Sequence, residues 1–471
     1  MVVSRVLFPV SALSPSLPSA ALLFCLILLP LVSGCGGGDS QDRPPARPDL
    51  VLITIDTLRA DRLELYGHQR ETAPALAALG LSGVTFEQAV SQAPWTLPAM
   101  ASIHTSLYPS QHGAVLANLS LGPRAVMLAE VLRQHGYDTG AAISHRFVSR
   151  RYGFAQGFSR FNERWIATQQ DVTSERLTRA ALKVHDKLGD GPRFLWLHYF
   201  DPHYSYMRHA EYGFADGYRG LLSDEVRFDD LGGPDGVLPG QIPEADVRYA
   251  RDVYDEEIRH TDLWIGRLIE GLRSAAGDRK RIFVVTADHG EYFSEHGRFG
   301  HGKDVYRELV HVPLIIAGDH PAIEAGRRVR AYVETASIAA TLMDLAGIQD
   351  HPFQGQSLLA QDADPARQSA VFTEGNYAWG VDHRKRAVIV EPWKLIQNFD
   401  DGSFELYHLG DDPGERVDLR EDPRAGPIQE RLAELLLRFE EQKQEGFFDS
   451  IELTDAERRH LDSLGYTSGG K

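Results

Sequence analysis

The hydrophobic residues in the middle of the chain follow two alternating patterns. Continuous apolar runs that end in polar residues are typical of buried strands in a parallel sheet. Segments whose apolar residues recur every three to four positions are typical of amphipathic helices. The predicted strands are "LVLITID", "DTGAAIS", "RFLWLHYF", "RIFVVTAD" and "VPLIIAG", and the predicted helices are "MLAEVLRQHG", "SERLTRAALKVHDKLG", residues 246–276 and "TASIAATLMDLAG". This βαβα order predicts an α/β fold, a doubly wound, mostly parallel sheet with helices on both faces.

The pattern changes after about residue 370. Four short segments there are typical of a small antiparallel sheet, and the charged helix "PIQERLAELLLRFEEQKQ" follows them: "AVFTEG", "RAVIV", "WKLIQN" and "FELYHL". We therefore expect a core over residues 48–370, an antiparallel subdomain over 371–430, and a C-terminal helix and tail over 431–471. Residues 213–244 are rich in Gly and Asp and predict a surface insertion over the site.

The N-terminal segment is predicted to lie outside the fold. Its apolar run "AALLFCLILLPLV" is too short to span a bilayer comfortably and fits the core of a signal peptide. The run ends in "VSGC", which resembles the lipobox of bacterial lipoproteins, where the signal is cut before a cysteine that is then lipidated. This predicts a signal peptide over 1–34, a lipid on Cys35 and a Gly- and Pro-rich tether over 35–47. A plain signal peptide or a short anchor is the alternative.

Composition narrows the classes of function. The formal net charge of -17 argues against a nucleic-acid binder, which would need a basic surface. The only two cysteines are Cys25, inside the predicted signal, and Cys35. The mature domain therefore has no internal disulfide and no cysteine nucleophile. The lipoprotein signal predicts a protein of the bacterial cell envelope, attached to a membrane and facing the periplasm or the exterior.

Two predicted core strands end in residues that can bind a metal. The first is followed by Asp56, and "RIFVVTAD" ends in Asp288, with His289 next. Ligands of open α/β sheets bind beyond the carboxyl ends of the strands. With Thr96, these residues would form a four-ligand N/O site suited to Zn²⁺ or Mn²⁺ rather than Ca²⁺. Each also has a plain structural explanation, because Asp56 could cap the next helix and "DHG" could be a turn.

The segment "APWTLPAMASIHTSLYPSQHG" raises the question of what Thr96 does. Pro98 suits the first turn of a helix, so Thr96 falls at or next to the N-cap. It is either a helix cap or a nucleophile placed where helix N–H groups could hold an anion.

Two histidine-rich stretches follow the same strand ends. His198, Asp201 and His203 lie in "LHYFDPHYSY", and His301 and Lys303 lie in "HGRFGHGK". Single histidines in loops are usually surface groups, but their gathering at one edge predicts a cationic pocket for an oxyanion. Three aromatic residues could stack on a sugar or a lipid headgroup or could simply pack in the fold: Tyr204, Tyr206 and Trp379.

These motifs carry a resemblance. In order along the chain, "VLITIDTLRADRLELYG", "PWTLPAMASIHTSLYPSQHG", "FLWLHYFDPHYSY", "VVTADHGEYFSEHGRFGHGK", "VYRELVHVPLII" and "FELYHLGDDPGERVDL" resemble the sulfatase family of the alkaline phosphatase superfamily. The resemblance covers about residues 48–425. It implies an alkaline-phosphatase-like core with a small C-terminal subdomain, and transfer or hydrolysis at sulfate or phosphate esters with a divalent metal.

The chain departs from the sulfatase pattern at its nucleophile. Thr96 occupies the position where sulfatases have a Cys or Ser that is oxidised to formylglycine, and threonine is not a substrate for that oxidation. Thr57 stands where a second aspartate is usual, Ser144 stands near the place of a lysine, and His301 replaces another lysine. This combination resembles the threonine-dependent phosphodiesterases and the phosphoethanolamine or phosphoglycerol transferases of the superfamily.

The sequence therefore favours a phosphodiesterase or phosphotransferase. Thr96 would attack phosphorus and form a phosphothreonine, which water hydrolyses or an acceptor alcohol takes over. His203 and His301 would bind the non-bridging oxygens or protonate the leaving group, with His198 and Lys303 in support. A sulfuric ester hydrolase without formylglycine and a non-catalytic anion- or glycan-binding protein are the alternatives.

Overall fold

The computed structural model of the protein describes residues 47–167, 172–227, 242–275, 277–363, 370–375, 384–442 and 446–463. Residues 46–471 group into one compact unit. The predicted signal peptide, Cys35, most of the tether and Trp379 lie outside the described residues, as do 228–241 of the predicted insertion. Among the described residues, no helix has the length and apolar character needed to cross a bilayer.

The strands are numbered in chain order. They are β1 (Asp49–Ile55), β2 (Gly83–Val90), β3 (Leu119–Leu121), β4 (Asp138–Ile143), β5 (Arg160–Asn162), β6 (Arg193–Tyr199), β7 (Tyr206–Met207), β8 (Glu225–Val226), β9 (Arg281–Ala287), β10 (Tyr292–Phe293), β11 (Phe299–Gly300), β12 (His311–Gly318), β13 (Arg327–Glu334), β14 (Val371–Gly375), β15 (Lys385–Val390), β16 (Trp393–Asn398), β17 (Phe404–His408) and β18 (Phe448–Ser450).

The helices are numbered in the same way. They are α1 (Pro74–Leu81), α2 (Thr96–Thr105), α3 (Pro109–His112), α4 (Leu128–Gln134), α5 (Ser174–His185), α6 (Glu244–Ser274), α7 (Arg307–Val310), α8 (Ile338–Leu345), α9 (Gly426–Glu440) and α10 (Asp455–Ser463). Every predicted strand and helix of the core is found within a few residues of its expected bounds.

The central sheet has eight strands in the order β13-β2-β12-β9-β1-β6-β4-β5. All neighbouring pairs are parallel except those of β12, which runs antiparallel to both β2 and β9. Helices α1, α5 and α6 contact one another in one group, and α2, α4 and α8 form a second. The prediction of an α/β, alkaline-phosphatase-like fold with a mostly parallel sheet is confirmed.

The register of the three central strands sets up the site. Strand β1 is apolar from Leu50 to Ile55 except for Thr54, and it is buried throughout, as a strand covered on both faces must be. Ile55 pairs with Ala287 of β9 on one side and with Tyr199 of β6 on the other. The three strands therefore end level with one another, and the residues that follow them emerge side by side at the carboxyl edge.

The C-terminal sheet is antiparallel, in the order β14-β15-β16-β17. Residues 387–390 of β15 are all buried, because one face packs on the core and the other on α9. Ala387 and Ile389 contact Val305 and Leu309, while Val388 lies in the cluster with Leu432 of α9. The predicted strands of this sheet are confirmed, and the sheet packs beside the loop that follows β11.

Candidate active site

Asp56 and Asp288 emerge from adjoining strands as the register requires. With His289 they form a set of three side chains that can donate lone pairs to a metal, called the donor set below. His289 Nε2 lies 3.6 Å from Asp56 Oδ1 and 3.5 Å from Asp288 Oδ2. All three side chains are fully buried. The structure thus brings together three of the four residues that the sequence predicted as metal ligands, with their donor atoms within 4.8 Å of one another.

The hydrogen bonds of these residues direct their lone pairs into the shared space. His289 Nδ1 lies 2.9 Å from the Gly290 carbonyl oxygen, so Nδ1 donates and the neutral ring has its lone pair on Nε2. Asp288 Oδ1 accepts the backbone N–H groups of Thr57 and His289 at 3.2 and 2.8 Å. Among the described residues, nothing donates a hydrogen bond to the other oxygen, Asp288 Oδ2, or to Asp56 Oδ1, although both atoms are buried.

The electrostatics of these residues favour a cation. Burial raises the pKa of Asp56 well above its ordinary value, and the charges of Asp288 and Glu291 raise it further. Burial also raises the pKa of Asp288 to about 8, against the hydrogen bonds that lower it. Burial and the neighbouring His301 hold the pKa of His289 well below its ordinary value. Buried oxygens without donors, next to a neutral imidazole nitrogen, fit a divalent cation.

Thr96 is the first residue of α2, and Trp95 is its N-cap. Because β2 is parallel to β1, the helix begins at the carboxyl edge of the sheet. Thr96 Oγ1 lies 3.4 Å from His289 Nε2. The helix has no side-chain cap hydrogen bond, so Thr96 is not the cap. Its hydroxyl is directed at the donor set.

Thr57 takes part in the site through its backbone. It has a φ of 52°, which is strained for a β-branched residue. This conformation lets the Thr57 N–H reach Asp288. The Tyr254 hydroxyl donates to the Thr57 carbonyl oxygen and so holds the turn. The position where sulfatases have a second aspartate therefore supports Asp288 here.

His203 and His301 face each other beside the donor set. Their rings are 5.1 Å apart, and the ring of His301 lies 4.4 Å from that of His289. His203 Nδ1 donates to the Tyr204 carbonyl oxygen at 2.8 Å. Burial and His301 hold the pKa of His203 well below its ordinary value, so His203 is neutral in the free protein. His203 must therefore gain a proton before it can donate from Nε2.

The remaining predicted residues divide between the site and its support. His198 lies against Asp56, with 3.4 Å between Nε2 and Oδ2. Lys303 is half-buried in the loop after β11. Asp201 accepts the backbone N–H groups of Thr173 and Ser174 and so holds the start of α5 instead of facing the pocket. Burial raises its pKa to about 6.

Tyr204 and Tyr206 belong to the wall of the pocket. Each is only 2% exposed. Tyr204 stacks on His203, with ring centroids 4.6 Å apart, and Tyr206 packs edge-on against Tyr204. Both act as packing aromatics, and they hold the histidine-bearing segment in place.

Two residues of the site were not predicted from the sequence. Glu291 Oε1 accepts from His301 Nδ1 at 2.9 Å, and its side chain is fully buried. His145 follows β4 and lies 3.8 Å from Asp56, between Nδ1 and Oδ2. The rule that found Asp56 and Asp288 also applies to His145, because it lies just beyond the end of a parallel strand.

Comparisons with known proteins match most of the chain. The model of the Sulfatase family matches residues 48–348, and the model described as N-sulphoglucosamine sulphohydrolase, C-terminal, matches residues 294–442. Arylsulfatase K of Bos taurus is 22% identical over 447 residues, which cover 83% of this chain and 82% of the relative.

Two solved structures share the fold. BT4656, in complex with its substrate D-glucosamine-2-N,6-O-disulfate, has a TM-score of 0.69 at 19% identity, with 84% of this chain and 98% of that chain covered. The phosphonate monoester hydrolase of Agrobacterium radiobacter has a TM-score of 0.68 at 21% identity, with 87% and 99% covered. The same architecture thus serves a sulfated sugar in one protein and a phosphonate ester in another.

Proposed function

The chain belongs to the sulfatase family of hydrolases, which act on sulfuric or phosphoric esters, and we propose that its substrates are sulfate esters. The relatives with sulfatase names favour this function over the phosphodiesterase that the sequence favoured. The observation that carries the proposal is the position of Thr96. Its hydroxyl lies at the start of α2, beside two buried carboxylate oxygens and the Nε2 atom of His289.

The chain's residues support a two-step displacement. Thr96 Oγ1 attacks sulfur as the S–O bond to the leaving alcohol breaks. The Nε2 atom of His301, whose ring has its proton on Nδ1, takes the Thr96 proton and passes it to the oxygen of the leaving alcohol. Water then attacks the sulfate on Thr96, which regenerates the threonine and releases hydrogen sulfate.

A divalent cation at Asp56, Asp288 and His289 would stabilise negative charge on the Thr96 oxygen and on the ester. The family typically uses Ca²⁺. We propose Zn²⁺ or Mn²⁺ here, because Ca²⁺ prefers an all-oxygen set and His289 supplies a nitrogen. The backbone N–H groups of Thr57 and His289 hold one oxygen of the buried Asp288, so its other oxygen would be available to the cation.

Phosphate-ester hydrolysis or transfer is the second candidate, and one observation favours it. The nucleophile position holds an unmodified threonine, and a threonine alkoxide is the nucleophile of phosphoryl transfer in the branches that the sequence resembles. The phosphonate monoester hydrolase neighbour shows that the fold accommodates phosphorus chemistry.

We further propose a sulfated glycan as the substrate class. The support is that the substrate of BT4656 is a sulfated glucosamine. We also propose that the protein is a lipoprotein attached through Cys35, for which "VSGC" is the support. Replacing Cys35 by Ala is expected to abolish incorporation of labelled palmitate and to move the protein out of the membrane fraction.

The test of the function is a substrate panel with the full-length chain. Protein stripped of metal is reloaded separately with Zn²⁺, Mn²⁺ and Ca²⁺ and offered an aryl sulfate, an aryl phosphodiester and an aryl phosphomonoester. Metal-dependent cleavage of the sulfate at the highest kcat/KM supports the proposal. A phosphodiester preferred by tenfold or more assigns the second candidate. No turnover of any ester, with binding of sulfated sugars retained, identifies a non-catalytic binder.

A further inference from the structure

The two oxygens of Asp56 face two different sets of side chains. Oδ1 faces the donor set of Asp288 and His289 described above. Oδ2 lies 3.4 Å from His198 Nε2 and 3.8 Å from His145 Nδ1. Asp56, His145 and His198 are each no more than 1% exposed, and their donor atoms lie within 4.8 Å of one another.

The hydrogen bonds around Thr54 decide which nitrogen of His198 has the proton. Thr54 Oγ1 accepts the indole N–H of Trp196 at 3.1 Å and donates to the Leu197 carbonyl oxygen at 3.0 Å. Its second lone pair then accepts from His198 Nδ1 at 2.9 Å. In this arrangement the hydrogen bonds of Trp196, Thr54 and His198 Nδ1 all have normal lengths. The other tautomer of His198 would instead rely on a long hydrogen bond of 3.4 Å from Nε2 to Asp56.

In this tautomer His198 Nε2 and Asp56 Oδ2 are both acceptors. Two buried acceptors at 3.4 Å repel each other unless a proton or a metal cation lies between them. Ligands at about 2.0–2.2 Å from one tetrahedral Zn²⁺ are roughly 3.4 Å apart. The observed spacing therefore fits two ligands of one ion.

His145 supplies the third ligand. It follows β4, whose strand is next to β6, so it emerges beside His198. Its ring stacks on Phe200, with centroids 5.4 Å apart and an angle of 16° between the planes. The backbone N–H of Phe200 is in turn held by Ser144 Oγ at 2.9 Å. This packing fixes the position of the imidazole.

We propose that Asp56, His145 and His198 bind a second divalent cation of the Zn²⁺ type, with the Asp56 carboxylate bridging it to the first. The inference goes beyond the proposed function and applies to sulfate and phosphate esters alike. Its position extends the positive charge toward the substrate pocket, because the ring of His145 lies 5.7 Å from that of His203. Paired cations can stabilise both the entering and the leaving oxygen of a displacement.

A different cluster, His209, Glu211 and His260, shows what this argument excludes. The indole N–H of Trp264 donates to His260 Nε2 at 3.2 Å. The neutral ring therefore has its proton on Nδ1, the nitrogen that would have to bind the ion. Glu211 is also exposed. Weak binding of Zn²⁺ at this cluster would add to the number of ions counted per chain, so the test uses a variant in which His260 is replaced.

The test is a count of bound Zn²⁺ in the full-length chain. Metal-free protein is equilibrated with Zn²⁺, separated from free ion and analysed by elemental mass spectrometry, with His260→Gln as the background. We expect two ions per chain in the His260→Gln protein. We expect one ion per chain when His198→Asn or His145→Asn is added to it. The control His320→Asn, at a site outside all three clusters, is expected to keep two. The His289→Asn variant is expected to keep the ion at His198.

Saturation of the background at one ion, or an unchanged count in both histidine variants, overturns the second site. If a chain with one bound ion still hydrolyses an ester, the proposed function stands and only the second site is wrong. If the chain binds two ions but hydrolyses no ester, the second site stands and the proposed function is wrong. Anomalous scattering from Zn²⁺-loaded crystals of the unmodified chain serves if a variant does not fold. Two peaks flanking Asp56 are expected, and a single peak beside Asp288 contradicts the proposal.

Discussion

His301 Nδ1 donates to Glu291 Oε1 at 2.9 Å, and both side chains are buried beside the metal-ligand set. A carboxylate can only accept, so the proton of the neutral ring is held on Nδ1. Nε2 is then the atom that exchanges a proton with whatever occupies the pocket. Glu291 is thus a positioning residue for the proposed acid.

Replacing Glu291 by Gln is expected to lower kcat by about 10²-fold or more, because the amide no longer fixes the tautomer of His301. KM should change little. The loss should shrink for phenol esters with acidic leaving groups, since these need no protonation. The measurement is kcat against leaving-group pKa.

The His301→Gln variant is the matched control for that series. In this background the further change of Glu291 to Gln should have almost no effect on kcat, because the two residues act as one unit. If the fold-losses in kcat of the two single variants multiply in the double variant, Glu291 does not act through His301.

Removing the metal is expected to make the protein less stable as the pH rises. In the metal-free protein burial raises the pKa of Asp288 from 3.8 to about 8. The folded state therefore holds a proton that the unfolded state has lost, and this stability is present below about pH 4 and lost as the pH passes 8. Adding a cation at 100 times its Kd should restore about 2.7 kcal/mol.

The measurement is urea unfolding at pH 5 and pH 8, with chelator and with Zn²⁺. The Asp288→Asn variant should lose both the stabilisation by metal and this pH dependence. Thr105→Ala, in the same helix as Thr96 but at its other end, should keep both. Stabilisation by Zn²⁺ that persists in Asp288→Asn would place the binding elsewhere.

The sequence was sufficient to predict the core strands and the residues at their ends. Asp56 and Asp288 were found because a buried parallel strand must end in a polar residue at the carboxyl edge, and that rule is local. The direction of β12 and its pairing with β2 were not predicted, because register and direction depend on partners far apart in the chain. Glu291 was missed for the same reason, since its role comes from its contact with His301. His145 follows the parallel strand β4, so the strand-end rule could have found it.

Glu334 gives a second pH effect, away from the site. Burial raises its pKa from 4.5 to about 7. Its protonated form contributes stability that is complete below about pH 4.5 and is lost as the pH rises through 7, on the order of 3 kcal/mol at most. Glu334 accepts from the Phe372 backbone N–H at 2.8 Å and contacts the Tyr108 hydroxyl at 2.7 Å.

The Glu334→Gln variant mimics the protonated acid, because its amide can accept from Phe372 and donate to Tyr108. Its unfolding free energy between pH 5 and pH 8 should fall less than that of the unmodified protein. Parallel pH curves for the two proteins would show that Glu334 does not hold a proton in the folded state.

The central claim is that Thr96 is the nucleophile, and the most direct test is turnover of the preferred ester by the full-length Thr96→Ala, Thr96→Ser and Thr105→Ala proteins loaded with the same metal. The account predicts a kcat/KM at least about 10³-fold lower for Thr96→Ala, a value within about tenfold of the unmodified protein for Thr96→Ser, and no change for Thr105→Ala. Turnover by Thr96→Ala within a few-fold of the unmodified protein would contradict the account and leave Thr96 only the structural role of a first helical residue.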